Sequence, residues 1–313
     1  MQLPFSKYEG TGNDFVVIDH AALQGEGLTP AEVRRLCHRH RGVGADGVLL
    51  VEALAQGRFR MTVYNPDASR ALMCGNGIRC VARHILCRRG GQAGTPPDTP
   101  LRLDIETDAG LHVCHATDAQ VTVEMRPASF DPSQISVTLG DAPLIDADFE
   151  VDGQRLQVTA VSMGNPHLVL FTALPETQAA LAERLGQDAR FSAGVNVGFA
   201  TLDPDGALTL RVFERGAGWT EACGTGACAA AAAAVQTGRA QRGAPLCVHL
   251  PGGDLHITVQ GENEPVHMQG PAHHVFDGVW PRAELGPRKP ARPGRIGRLE
   301  ALEKQGHLGR STE

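Results

Sequence analysis

The chain has 313 residues, enough for one large domain or two of ordinary size and enough to bury a core without covalent staples. Hydrophobic residues make up 42% and charged residues 20%, a globular balance, and the net charge of −6 comes with no basic run in the body, which argues against nucleic acid as a partner. No stretch approaches the apolar length of a membrane span, and Met1–Asp19 mixes Lys7, Glu9 and Asp14 with apolar residues instead of following the basic-then-apolar order of a secretion signal, so no membrane contact and a cytoplasmic location are expected.

Taken in chain order, the first clear element is Gly12-Asn13-Asp14-Phe15-Val16-Val17-Ile18, a Gly-Asn turn feeding a β-branched strand. Met61–Asn65 is a short alternating strand with a polar residue at its end. Cys74-Gly75-Asn76-Gly77 then precedes a helical stretch, Arg79–Arg89, and Gly90–Pro100 reads as a loop rich in Gly and Pro. The same order then recurs. Gly164–Leu170 is again a Gly-Asn turn and strand, Leu210–Glu214 again a short strand with a polar end, and Cys223-Gly224-Thr225-Gly226 again precedes a helix. The second helix, Ala227–Gln236, is nearly all alanine, the best helix former. A helix with small apolar side chains all round is built for burial, and a thin one fits where a sheet wraps closely. From Pro281 the chain is rich in Arg and Pro and reads as a disordered basic tail, at most weakly helical around Leu299–Gln305.

Matches in register, offset by roughly 150 residues, indicate a duplicated unit of domain size. The fold class predicted is α+β, with two pseudo-symmetric halves, each a curved sheet wrapped around a central helix, and a site in the cleft between them. The expected division is 1–118 for the first half and 119–268 for the second. Residues 269–280 would pack back on the first half, and 281–313 form the tail.

The eight cysteines are Cys37, Cys74, Cys80, Cys87, Cys114, Cys223, Cys228 and Cys247. A chain of this size in a reducing compartment does not need a disulfide framework. No C-x-x-C pair occurs and no linear Cys/His spacing looks like a zinc site, so no metal is expected. Six of the eight read as small buried hydrophobes. Cys74 and Cys223 differ, because each opens a C-G-x-G at a helix start. The first turn of a helix presents unpaired N–H groups and a positive dipole end, which lowers a thiol's pKa and welcomes a carboxylate. Two such starts imply one carboxylate held between them with a sulfur on either side. That arrangement suits inversion of an α-carbon, where a proton leaves one face and another arrives on the opposite face. No lysine stands out as a Schiff-base anchor, and neither a dinucleotide fingerprint nor a P-loop is present, so no cofactor is expected.

Gly10-Thr11-Gly12-Asn13-Asp14-Phe15, Arg41–Gly47, Met73–Gly77, Ser162–His167, Glu214–Gly218 and Ala222–Cys228, in this order, resemble the diaminopimelate epimerase family over Met1 to about Trp280. The resemblance implies epimerisation of LL-2,6-diaminopimelate to the meso isomer, in lysine and peptidoglycan-precursor biosynthesis, by a cofactor-independent homodimer. It implies Cys74 and Cys223 as the acid/base pair, with Gly75, Asn76, Gly224 and Thr225 holding the reacting carboxylate through backbone N–H groups. Asn13, Asn65, Asn165, Asn196, Glu214 and Arg215 would bind the amino groups and the distal carboxylate, and His167 and Glu214 would tune the cysteines. The side-chain chemistry agrees, since Arg215 is a carboxylate fork, Glu214 an ammonium partner, and asparagine both donates and accepts. Each residue alone also has a plainer reading: a turn for Asn13, Asn65 and Asn165, a core histidine for His167, a solvated pair for Glu214–Arg215. Gly47 stands where many relatives carry Gln, Trp219 where Glu is common, and Phe276 where some have a Tyr linked to dimerisation.

Proline and hydroxyproline racemases share the architecture but typically carry His at the position of Asn76, and phenazine-biosynthesis isomerases lack the cysteine pair. A thiol redox or metal-binding protein is the rival from a different class, and the absence of C-x-x-C counts against it.

Overall fold

The computed structural model describes residues 2–89, 99–138, 140–173 and 179–282. Most of the Gly90–Pro100 segment and the chain beyond Arg282 lie outside these residues, as does the weak helix expected around Leu299–Gln305.

The first half comprises β1 (Gln2–Gly10), β2 (Asn13–Asp19), α1 (Pro30–Cys37), β3 (Gly47–Ala53), β4 (Phe59–Tyr64), β5 (Arg70–Ala71), α2 (Gly75–Arg89), β6 (Leu101–Thr107), β7 (Gly110–Ala116) and β8 (Val121–Met125). After α3 (Pro132–Ile135) and β9 (Ala147–Val151), the second half comprises β10 (Gln154–Ser162), β11 (Pro166–Leu170), α4 (Ala179–Gly186), β12 (Asn196–Leu202), β13 (Leu208–Glu214), β14 (Gly218–Thr220), α5 (Gly224–Gln236), β15 (Pro245–Leu250), β16 (Gly253–Val259) and β17 (Val266–Gly270). The chain ends its described part on β18 (His273–Pro281).

The duplication holds at the level of strand pairing. In the first half β1–β2 is antiparallel, β2–β3 parallel, β3–β4 and β4–β5 antiparallel, β4–β6 parallel, and β6–β7 and β7–β8 antiparallel. The second half repeats this sequence from β10 to β17 with the same senses. The halves are joined by β8 against β17, antiparallel. The strand that follows each half pairs with the first strand of a half: β9 with β10 of the second, and β18 with β1 of the first.

Each half wraps one helix. From Gly224 to Ala234, every side chain of α5 except Thr225 is buried, against β10 to β13 on one side and β15 to β17 on the other. The sheet supplies the larger apolar groups: in β16, Leu255, Ile257 and Val259 point inward while Asp254, His256 and Thr258 alternate outward. Each such Leu or Ile contributes about 1.5–3 kcal/mol by leaving water. Both helices share one hydrophobic cluster, which includes Ile78, Val81 and Ile85 of α2 and Ala227 to Ala234 of α5.

α1 begins with a capping box in which Thr29 accepts from the Glu32 N–H and the Glu32 carboxylate accepts from the Thr29 N–H. Glu32 also pairs with Arg282 at 2.6 Å, and both side chains are nearly buried. Pro281 and Arg282, the first residues assigned to the tail, thus close β18 and anchor it to the first half.

Candidate active site

Both helices start earlier than the sequence suggested, at Gly75 and Gly224, so the C-G-x-G glycines lie inside the first turn. Glycine propensity argues against this, but tertiary contact overrides it. A Cβ on Gly224 would lie 2.9 Å from the Met268 Sδ, and one on Gly75 would lie 3.2 Å from the Met268 Cε. Met268 of β17 sits beneath both helix starts and leaves no room for a side chain.

Cys74 and Cys223 cap these starts identically. The Cys223 Sγ accepts from the Gly226 N–H at 3.4 Å, and its carbonyl accepts from Ala227 N–H at 2.9 Å. The Cys74 Sγ accepts from the Gly77 N–H at 3.3 Å, and its carbonyl accepts from Ile78 N–H at 2.9 Å. Both thiols face a cleft of about 520 Å³ lined also by Asn13, Asn76, Asn165, Glu214 and Thr225. A larger cavity of about 720 Å³ shares Arg126 and Gly164 with this cleft but contains neither of these cysteines.

The amides around the thiols are oriented by fixed partners. Asn13 donates to Asp46 at 2.8 Å, which turns its Oδ1 toward the Cys74 thiol at 3.9 Å and the Asn76 amide at 3.5 Å. Asn76 also donates to the Ala222 carbonyl at 3.2 Å, tying the first helix start to the residue before Cys223. Behind it, the wholly buried Arg79 donates to the Thr11 hydroxyl at 2.6 Å, the Pro271 carbonyl at 3.2 Å and the Gly75 carbonyl at 3.3 Å. On the other side, the His167 Nε2–H donates to Asn165, Asn165 donates to the Thr225 hydroxyl at 3.4 Å, and Thr225 lies 3.6 Å from the Cys223 Sγ. His167 reaches Cys223 only through this relay.

The thiol pKa values run opposite to the helix-start expectation. Burial raises Cys74 and outweighs the Gly77 and Asn76 N–H groups that pull it down, while Glu214 adds to the rise. Burial and then the Glu214 charge hold Cys223 well above the usual thiol value. The helix starts moderate the desolvation cost of a thiolate without overcoming it. Burial also holds His167 down to about 3, so its ring is neutral at neutral pH.

Other residues singled out in the sequence lie apart from the cleft lining. Asn65 is in a turn, its amide donating to Ser69 at 2.9 Å. Asn196 is buried and uses both ends of its amide on the backbone, donating to the Pro166 carbonyl at 3.1 Å and accepting from the Arg215 N–H at 2.9 Å. Arg215 is exposed and donates to the Ala193 carbonyl. Asp108, His112 and Arg126, which sequence reasoning did not select, do line the cleft. His112 is buried, and its Nε2 has no partner among the described residues. Its inward position in alternating β7 was the available signal. Trp219 packs edge-on to Phe213 at 5.5 Å, with the Arg211 guanidinium 4.9 Å from its ring. Gly47 lies tight against β4, where a Cβ would approach the Tyr64 carbonyl oxygen to 2.9 Å.

The fold is shared with solved structures of low sequence identity. A hydroxyproline epimerase from Agrobacterium vitis, solved with bound trans-4-hydroxy-L-proline, superposes with a TM-score of 0.63 at 17% identity, covering 89% of this chain and 91% of its own. Sequence similarity is closer elsewhere. A diaminopimelate epimerase of Thermosynechococcus vestitus is 42% identical over 290 residues, 90% of this chain and 100% of that one. That of Desulfitobacterium hafniense is 44% identical over 289 residues, 87% of this chain and 96% of that one. With such relatives on such a fold, the protein is an isomerase of the epimerase class. The diaminopimelate epimerase family model matches residues 5–130, which hold Cys74, and 159–275, which hold Cys223. The chain belongs to the diaminopimelate epimerase family.

Proposed function

We propose that the protein interconverts LL- and meso-2,6-diaminopimelate by a two-base mechanism in which Cys74 and Cys223 exchange the roles of base and acid. The observation that carries this reading is that both cysteines cap equivalent helix starts whose first glycines meet in one cleft.

The reacting carboxylate lies against the first-turn N–H groups of Gly75, Asn76, Gly224 and Thr225, which have no intrahelical partner. One sulfur, as thiolate, takes the α-proton: the Cα–H bond breaks, an S–H bond forms, and the electron pair delocalises into the carboxylate. The opposite thiol gives its proton to the other face, breaking S–H and forming Cα–H. The sulfurs end with exchanged protonation, ready for the reverse direction. Acid–base catalysis supplies about 10²- to 10⁴-fold, so stabilisation of the developing charge by two helix starts in a water-poor cleft carries much of the rest. Glu214 would pair with an ammonium group. That pairing neutralises the charge that raises both thiols, so substrate arrival itself favours a thiolate.

Asn13 and Asn165 complete the near contacts. Asn65, Asn196 and Arg215 are assigned to the distal end, with Arg215 leaving the Ala193 carbonyl for the distal carboxylate and Asn196 holding its backbone. His167 acts on Cys223 through Asn165 and Thr225. The two cysteines furnish both proton positions, so the chemistry needs no cofactor. We assign the reaction to lysine and peptidoglycan-precursor biosynthesis in the cytoplasm, and the working unit to a homodimer. Exposed Val275, Phe276 and Val279 on β18 support that state. No described helix is long and apolar enough to cross a membrane.

The test is solvent deuterium exchange by reduced protein with LL-diaminopimelate, L-lysine and L-proline side by side. Exchange and meso product are expected with diaminopimelate alone. Comparable exchange on lysine or proline would remove the named substrate and leave a general two-cysteine racemase.

A further inference from the structure

Cys247 is absent from the cleft lining, and its sequence context points only to a packing role. The hairpin of β15 and β16 changes that. Its inner face carries Leu246, Val248, Leu255 and Ile257, so Cys247, His249, Asp254 and His256 all stand on its outer face. The register sets His249 directly opposite Asp254 and Cys247 opposite His256. The His249 Nδ1 lies 2.8 Å from Asp254 Oδ1 and 3.8 Å from Cys247 Sγ. The three donor atoms lie within 4.8 Å of one another.

We propose that Cys247, His249 and Asp254 form a binding site for a divalent cation of the zinc type, outside the catalytic cleft. A catalytic relay would use both imidazole nitrogens, one toward the sulfur and one toward the carboxylate. Here both contacts are made by the same Nδ1, so the three donors converge on one point instead of lining up. Thiolate, imidazole and carboxylate are the donors that zinc takes, in tetrahedral geometry. Metal–ligand bonds of about 2.0–2.3 Å place neighbouring donors about 3.3–3.6 Å apart. The Cys247–His249 spacing is close to this, and the His249–Asp254 pair needs to open by only about half an ångström once its shared proton leaves. Binding releases the Cys247 thiol proton to solvent and takes the His249 ring as its neutral Nε2–H tautomer, so that Nδ1 offers its lone pair. Water would fill the fourth position. Asp203, bonded to Thr209 at 2.8 Å, adds negative charge beside the site, since Thr209 of β13 is the register partner of His249. The linear spacing Cys247-x-His249-x4-Asp254 matches no common zinc pattern. The antiparallel pairing assembles the site.

The test uses Co²⁺ as a spectroscopic probe for Zn²⁺, titrated into reduced full-length protein. Native protein and a Cys74→Ser/Cys223→Ser variant should both bind one equivalent with a near-ultraviolet thiolate-to-cobalt absorption. Cys247→Ser should lose that band, and His249→Ala and Asp254→Ala should weaken binding at least tenfold. Metal-free turnover of these three variants should match native, which shows that they fold. A band that survives Cys247→Ser, or that vanishes in the cleft double variant, would put the cation on other thiols and overturn the proposal. Absence of binding by native protein would overturn it as well, leaving His249–Asp254 a surface ion pair.

Discussion

Gly75 and Gly224 meet across the junction of the two halves: a Cβ on either would lie 3.6 Å from the Cα of the other. Two helix starts, with their unpaired N–H groups and positive dipole ends, are thereby brought to one point. Met268 beneath them fixes the spacing. Gly224→Ala should therefore fold but lower kcat/KM by about 10²-fold, the order of loss caused by a 1 Å misplacement of reacting groups. Adding Met268→Ala removes the clash and should restore part of that loss. Steady-state kinetics of the single and double variants check this.

Glu214 raises both cleft thiols. A thiol raised above its usual value is mostly protonated at neutral pH, and its thiolate fraction grows as pH rises. Glu214→Gln removes the carboxylate's charge, so the alkylation of Cys74 and Cys223 by iodoacetamide should begin at lower pH than in native enzyme. The same variant should bind substrate about tenfold or more weakly, having lost a charge-assisted contact. Alkylation profiles that coincide with native would remove Glu214 from the control of the thiols.

Arg79 is wholly buried; it donates back to Gly75 within α2 and ties that helix to the β1–β2 turn through Thr11 and to the segment before β18 through Pro271. Three diverging acceptors suit a planar guanidinium and not a point ammonium. Arg79→Lys should lower both the melting temperature and kcat/KM, with the loss mainly in kcat. Calorimetry and kinetics on the same preparation read both.

Burial alone would raise the Glu32 carboxyl, but Arg282 and the Thr29 contacts outweigh it and hold it below the usual carboxylate range. A depressed carboxyl contributes stability that is complete above its unfolded pKa and is lost as pH falls through the folded value. Arg282→Ala should cost about 3 kcal/mol at neutral pH, the lower end for breaking a buried pair. The gap from native should narrow in acid. Denaturant unfolding at pH 7 and pH 4 measures it.

Much of this was legible because the duplicated motifs are local. Gly12-Asn13 and Gly164-Asn165 mark the same turn in each half, and Gly12 and Gly164 both take positive φ, at 78° and 92°. The alanine run announced a buried helix, as α5 is. What escaped the sequence depends on contacts between distant strands. The early helix starts at Gly75 and Gly224 answer to Met268, nearly two hundred residues beyond the first of them. The raised thiols reflect burial overruling the helix dipole, a balance that a motif does not encode. Asn65, Asn196 and Arg215 match the family pattern, yet their side chains engage Ser69, the backbone and Ala193. Cys247, His249 and Asp254 come together only because the hairpin register sets His249 opposite Asp254.

The central claim, that two thiols on opposite faces share one carbon, is tested most directly by Cys74→Ser and Cys223→Ser. Conversion of LL- to meso-diaminopimelate should be followed together with α-deuterium incorporation in D₂O, with Cys228→Ser as a buried-thiol control. Each cleft variant should lose at least about 10²-fold in turnover, since each removes one acid/base partner, while Cys228→Ser keeps most of its activity. Near-native conversion by either cleft variant would contradict the two-thiol mechanism.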